Sequence, residues 1–151
     1  MKLERTSIYL SLLANFGVVV GIIFLVIEVN QNTNAIHAST IQALEQGVSE
    51  VMAPWTASVE NAALLYRGRK AFDELTEEER IFVGLLIRRL YLHMDSYYWA
   101  NKNGALSTEL WDREKSVLRS WVNSPGGRII WERGRFSQSF EEFVEAELIE
   151  H

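Results

Sequence analysis

"FLVIEVNQNTNAIHAST", Phe24 to Thr40, is the stretch on which the fold turns. An apolar run stops at Glu28, passes through four amides and Thr33, and then resumes an apolar rhythm. The end of a membrane span, a signal-peptide junction and the neck of a continuing helix all begin this way. Periodicity separates them. Beyond the amides, Ile41, Leu44, Val48, Val51 and Trp55 are spaced three and four apart, which is a heptad seam. Carried backward at the same spacing, the seam meets His37, Asn34, Asn30, Ile27, Ile23, Val20, Phe16 and Leu13. The stretch is therefore expected to be one helix, from about Thr6 to Met52 and about 70 Å long at 1.5 Å per residue. "MAPW" should end it, because Pro54 has no amide hydrogen and disfavours helix in the residue before it.

The first half of that helix, Ile8 to Ile27, runs without a charge for twenty residues. Such a run crosses a hydrocarbon core of about 30 Å, so a transmembrane helix is expected. A secretory signal peptide is the weaker alternative: its apolar core would exceed the usual ~7 to 15 residues, and for cleavage after Ala38 the minus-three place, where a small residue is needed, holds Ile36. A buried helix of a soluble protein is the third reading. Lys2 and Arg5 precede the span and no basic residue follows until Arg67. By the positive-inside rule the N-terminus is then cytoplasmic and the remainder lies outside.

The part after the span is acidic, with thirteen Lys and Arg against nineteen Asp and Glu from Glu28 to His151. Nucleic acid is not an expected partner, since its affinity rests on basic patches that release counterions. The chain has no cysteine, which removes disulfides, thiol nucleophiles and thiolate metal sites. Its remaining punctuation is helical: Ser58 to Lys70, a capping box at Thr76 and Glu79, a stop at Asn103–Gly104, a cap at Ser107 or Thr108, and Ser124 followed by Pro125. With no competing strand pattern, the expected class is all-α. Residues 1–52 would form the transmembrane helix and helical neck, and residues 53–151 a small helical domain.

With "EVNQNT" (Glu28 to Thr33), "LTEEER" (Leu75 to Arg80), the "LW" helix and "SPGGR" (Ser124 to Arg128) in place, the chain resembles a group of short, uncharacterised bacterial membrane-anchored proteins. The similarity covers nearly the whole chain. It implies a helical fold anchored in the bacterial inner membrane, and no activity. Members of the group often carry an arginine shortly after "QNT", which "NTNAIHAS" lacks.

Several residues are candidates for function. Gly17 and Gly21 have the small-xxx-small spacing that lets two membrane helices approach closely. Together with Ile41, Leu44, Val48 and Val51 they form the expected homo-oligomer interface. If several helices surrounded an axis, Glu28, Asn30, Asn34 and His37 would line a pore. Oligomerisation is the preferred reading of the two, because Asn at a seam position also serves register in a simple coiled coil. Gly126, Gly127 and Arg128 at a helix start are a candidate anion site, with a well-capped turn as the simpler reading. His93 and Asp95 stand two apart and so do not share a helix face; no metal, cofactor or catalytic set is expected. Tyr91, Tyr98, Trp111, Trp121 and Trp131 are expected to build the domain's core. The sequence as a whole suggests a membrane-anchored assembly or interaction module, with lipid and further copies as partners and no identifiable small ligand.

Overall fold

The structure, a computed structural model, describes residues 2–150, with side chains at Leu10 and from Leu12 onward. The side chains of Lys2, Arg5 and Ile8, and His151 as a whole, lie outside the described residues. Within them the fold is all-helical: α1 (Lys2–Thr56), α2 (Val59–Lys70), a 3₁₀ turn (Phe72–Glu74), α3 (Glu77–Lys102), α4 (Thr108–Val122), α5 (Pro125–Arg133) and α6 (Gln138–Glu147).

Most of the helix ends follow from local chemistry. Ser58, Ser107 and Ser124 each accept a hydrogen bond from the backbone amide three residues on. At the head of α3 the capping box is complete, with Thr76 accepting from the Glu79 amide and the Glu79 carboxylate accepting from the Thr76 amide. This satisfies two amides that a helix start otherwise leaves open. Asn103 closes α3, and Gly104 follows with φ of 71°, a conformation glycine adopts without the cost of a side chain. Helix α1 passes Pro54 and stops two residues later, at Thr56. A proline in the last turn forfeits one hydrogen bond without breaking the turns before it. Its own carbonyl accepts from the Asn61 side chain at 3.0 Å.

The chain forms two compact units, residues 1–39 and residues 40–151. The first consists of α1 residues alone. Its large apolar side chains are exposed, Leu13 and Phe24 by about two thirds or more. An 18-residue window of α1 has a mean hydropathy of 2.5 with none of it buried, so the helix is long and apolar enough to cross a membrane.

The second unit holds the core, and it begins earlier than the sequence suggests. Residues 40–52, expected as neck, belong to the domain. Val51 and Trp55 sit in its main cluster with Leu65, Ile87, Leu90, Tyr91, Val122, Trp131 and Phe140. Leu44 joins a smaller cluster with Tyr97 and Ala100, against which Val48 is packed. Ile41 is half-buried. The expectation that Ile41, Leu44, Val48 and Val51 face a second copy is therefore corrected for Leu44, Val48 and Val51, which are covered by the chain's own helices. A heptad pattern specifies an apolar stripe and does not say whose surface covers it.

The aromatic residues assemble as expected, with Tyr91, Trp121 and Trp131 buried and Tyr98 and Trp111 half-buried. Trp131 stacks on Phe136 at 4.8 Å and meets Tyr91 edge-on at 5.6 Å. Short α5 lies at the centre, packed on α2, α3 and α4.

Candidate functional site

The candidate anion site at "SPGGR" is filled by protein. Gly126 and Gly127 are both buried. A Cβ on Gly126 would lie 1.9 Å from the Gly68 carbonyl oxygen, and one on Gly127 would lie 1.9 Å from the Trp121 carbonyl oxygen. The glycines let the start of α5 press against the end of α2 and the end of α4. Ser124 Oγ accepts from the Gly127 amide at 3.3 Å and donates to the Trp121 carbonyl at 2.7 Å. Arg128 donates to the Glu150 carbonyl. Gly126, Gly127 and Arg128 thus form a capped packing joint, and the anion reading is withdrawn on steric grounds.

Along α1, Glu28, Asn30 and Asn34 are exposed and His37 is half-buried. Gly17 and Gly21 are open as well: a Cβ at either would meet nothing within 4 Å. Asp95 is structural. Its carboxylate accepts from the Ser137 amide at 3.0 Å and from the Ser137 hydroxyl at 2.7 Å. A carboxylate at a helix start suits both the open amides and the positive end of the helix dipole, so Asp95 fastens the head of α6 to α3.

His93, its neighbour by two, faces elsewhere. It lines a cavity of about 300 Å³ between the end of α1, α3 and α4. Val48, Val51, Met52 and Trp55 form the α1 wall, Leu90, His93 and Met94 the α3 wall, and Glu114, Val117 and Trp121 the α4 wall. The rings of Trp55 and Trp121 meet at 5.4 Å. Apolar walls with a few polar groups are the usual make-up of a small-molecule pocket.

The polar groups are under-satisfied. Trp55 Nε1, His93 Nε2 and the Tyr97 hydroxyl are buried without a hydrogen-bond partner. Each such group costs about 1–3 kcal/mol relative to a paired one. Glu114 is buried too, with its carboxylate bonded to Arg113 at 2.9 Å. The His93 ring stands edge-on to Tyr97 at 5.0 Å, and its Cε1–Nδ1 edge packs against α1 where Gly47 leaves room.

Burial holds the His93 imidazole below its ordinary range. Glu114 on α4 opposes that shift, Arg89 on α3 adds to it, and the Leu44 backbone on α1 opposes it. Burial also pushes the Tyr97 phenol up, with the Glu114 charge adding to the effect. The ring of His93 is then neutral at pH 7. Because its folded value is depressed, the unfolded chain takes up a proton first as pH falls through about 6.5. The stability tied to His93 is present above that pH and is lost as pH falls toward the depressed value. Urea midpoints at about pH 7.5 and about pH 5 should accordingly fall further for the wild type than for His93→Phe. Equal falls would assign the loss to carboxylates alone.

These pocket residues were within reach of the sequence in one respect. His93 falls on the inward stripe Leu86, Leu90, Tyr97, and Glu114 on the stripe Trp111, Leu118, Trp121. A titratable residue at an inward position of an otherwise apolar stripe is the signal. Comparison with known proteins gives no match to a family model, a curated protein or a solved structure.

Proposed function

We propose that this chain is a single-pass membrane protein of the bacterial inner membrane, in which a transmembrane helix anchors a small helical interaction module and associates with further copies through Gly17 and Gly21. The observation that carries the reading is the unburied apolar window of α1, with a mean hydropathy of 2.5. Exposed apolar surface on this scale is unfavourable in water by about 25 cal/mol per Å², and lipid removes that cost. The open Gly17 and Gly21 backbone supports close helix approach within the membrane. Lys2 and Arg5 favour a cytoplasmic N-terminus, which puts the acidic domain in the periplasm. The pore alternative drew its axis from the seam; with Leu44 and Val51 committed to the domain core, it keeps only exposed Glu28, Asn30 and Asn34.

One set of membrane experiments tests the reading. Native mass spectrometry of the full-length protein in detergent should give a dimer or higher species. The double variant Gly17→Leu, Gly21→Leu should convert at least about nine tenths of it to monomer, a shift of roughly 1–2 kcal/mol or more in association. A monomeric wild type, or an unchanged variant, removes the glycine face from the proposal. A single cysteine placed at exposed Ser116 should react with a membrane-impermeant maleimide in intact spheroplasts. Protection there would reverse the orientation.

A further inference from the structure

A second groove, of about 490 Å³, is bounded by the 3₁₀ turn, the first half of α3 and the end of α5. Its walls are mostly apolar, made by Phe72, Ile81, Leu85 and Ile130 with Gly84 and Gly134 between them. Ile81 and Leu85, neighbours one turn apart on α3, leave 59% and 63% of their surface uncovered. Gly84 stands beside them, and glycine is the least favourable residue after proline inside a helix. Packing does not demand it. A Cβ there would meet Ile130 Cδ1 at 3.4 Å and Phe72 Cζ at 3.8 Å, both ordinary contacts. Having no side chain, Gly84 leaves the middle of the groove open.

The charge of this groove is opposite to that of the domain around it. Arg80, Arg88 and Arg133 line it against Glu77 alone. Residues 40–151 as a whole carry thirteen Lys and Arg against eighteen Asp and Glu. Arg80 is occupied, donating to the Leu75 carbonyl at 3.0 Å and to the Asp73 carbonyl at 3.4 Å. Arg88 and Arg133 are exposed, and among the described residues neither forms an ion pair; those pairs engage Arg67, Arg89, Arg113 and Lys115. Two guanidinium groups left without a carboxylate, in a chain rich in carboxylates and beside an apolar groove, complement a ligand with an anionic head and an apolar body.

Size and shape narrow the occupant. The volume lies within the ~300–1,000 Å³ usual for small-molecule pockets. It equals the liquid volume of about sixteen waters at ~30 Å³ each, too little for a two-chain lipid. A flat bilayer surface is met by a convex apolar face, and these side chains line a concave one. A cation would be repelled by the arginines. A second copy offers, on α6, exposed Glu142, Glu145 and Glu147 but no exposed large apolar side chain to fill the groove.

We propose that this groove binds a single-chain anionic amphiphile of roughly sixteen non-hydrogen atoms, with a carboxylate or phosphate head drawn to Arg88 and Arg133 and an apolar tail lying over Ile81, Gly84, Leu85 and Ile130. The inference does not depend on the membrane reading or on copy number, since every residue it uses lies in the second unit.

The test uses the full-length protein in nanodiscs of zwitterionic lipid, with ¹³C-labelled isoleucine δ1 methyls. The Ile81 and Ile130 signals are assigned by their loss in Ile81→Val and Ile130→Val. Four probes share one tail: decanoate, decyl phosphate, decanol and decyltrimethylammonium, each corrected for its uptake by empty nanodiscs. Decanoate or decyl phosphate should shift both methyls in a saturable way and bind at least about tenfold more tightly than decanol. The tighter of the two anions identifies the head as that of a fatty acid or of a phosphate ester. The cation should give no shift. Arg88→Gln combined with Arg133→Gln should weaken anion binding by at least about tenfold, and Leu85→Asp, at an exposed position, by as much. Absence of saturable shifts up to millimolar anion, equal binding of the anions and decanol, or unchanged binding in the arginine variant would overturn the proposal. Shifts of Ile81 and Ile130 in nanodiscs containing phosphatidylglycerol, with no probe added, would assign this face to the bilayer and overturn it as well. The comparison of heads is made on the wild type, so it stands even where a variant fails to fold.

Discussion

Gly126→Ala should destabilise the domain by at least about 3 kcal/mol and lower its melting temperature by more than about 10 °C. The direction is informative, because alanine within a helix is otherwise favoured over glycine by about 1 kcal/mol. That gain is overridden here. The added Cβ would stand 1.9 Å from the Gly68 carbonyl oxygen, 2.9 Å from the Gly68 carbonyl carbon and 3.2 Å from the Arg69 Cα, all of them main-chain atoms of another helix. Accommodating the methyl means moving α5 away from α2 as a body. Because α5 also packs on α3 and α4, such a shift opens three interfaces together. Gly104→Ala provides the control. Its φ of 71° costs an alanine roughly 1–2 kcal/mol, but nothing stands within 4 Å of the new methyl. A calorimetric scan that ranks Gly104→Ala as the more damaging would refute the packing account of "SPGG".

Val51→Asp should cost about 3–5 kcal/mol and leave the copy number of the remaining folded protein unchanged. Val51 is 4% exposed, in the main core cluster and on the pocket wall. A carboxylate there is buried among apolar side chains and either stays charged at high cost or takes up a proton. Both outcomes destabilise the fold. A seam between copies predicts the opposite pair of results: an intact domain and a monomeric mass. Chemical denaturation and native mass spectrometry on one variant therefore separate a stripe buried within the chain from one buried between chains. Leu44→Asp, in the smaller cluster with Tyr97 and Ala100, should behave in the same way.

The parts of this fold that were legible in the sequence are those settled within one turn of helix. The Thr76–Glu79 capping box and the Ser58 and Ser124 caps each join residues three apart, so the letters alone determine them. The stripe Leu44, Val48, Val51, Trp55 was equally legible as a pattern. Its cover was not, because the helices that supply Tyr97, Leu90 and Trp121 come later in the chain, and their crossing angles depend on every side chain between them. The same limit hid the reason for two adjacent glycines: "SPGG" reads as a turn and cap, while the contact that forbids a side chain at Gly126 is made with Gly68 in another helix. His93 and Glu114 could each be recognised as inward-facing and titratable. That they line one cavity requires the packing of three helices to be known.

The close-packed glycines also differ in what a search for second-site suppressors would return. At Gly126 the obstacle is the Gly68 carbonyl, a group that every amino acid carries, so no exchange of side chain at position 68 makes room and true revertants should dominate. At Gly47 the obstacle is the His93 ring, 2.6 Å from where a Cβ would stand. A smaller residue at 93 would relieve that collision, so a defect at Gly47 can be inherited away through a partner mutation, at the cost of the imidazole that the pocket presents.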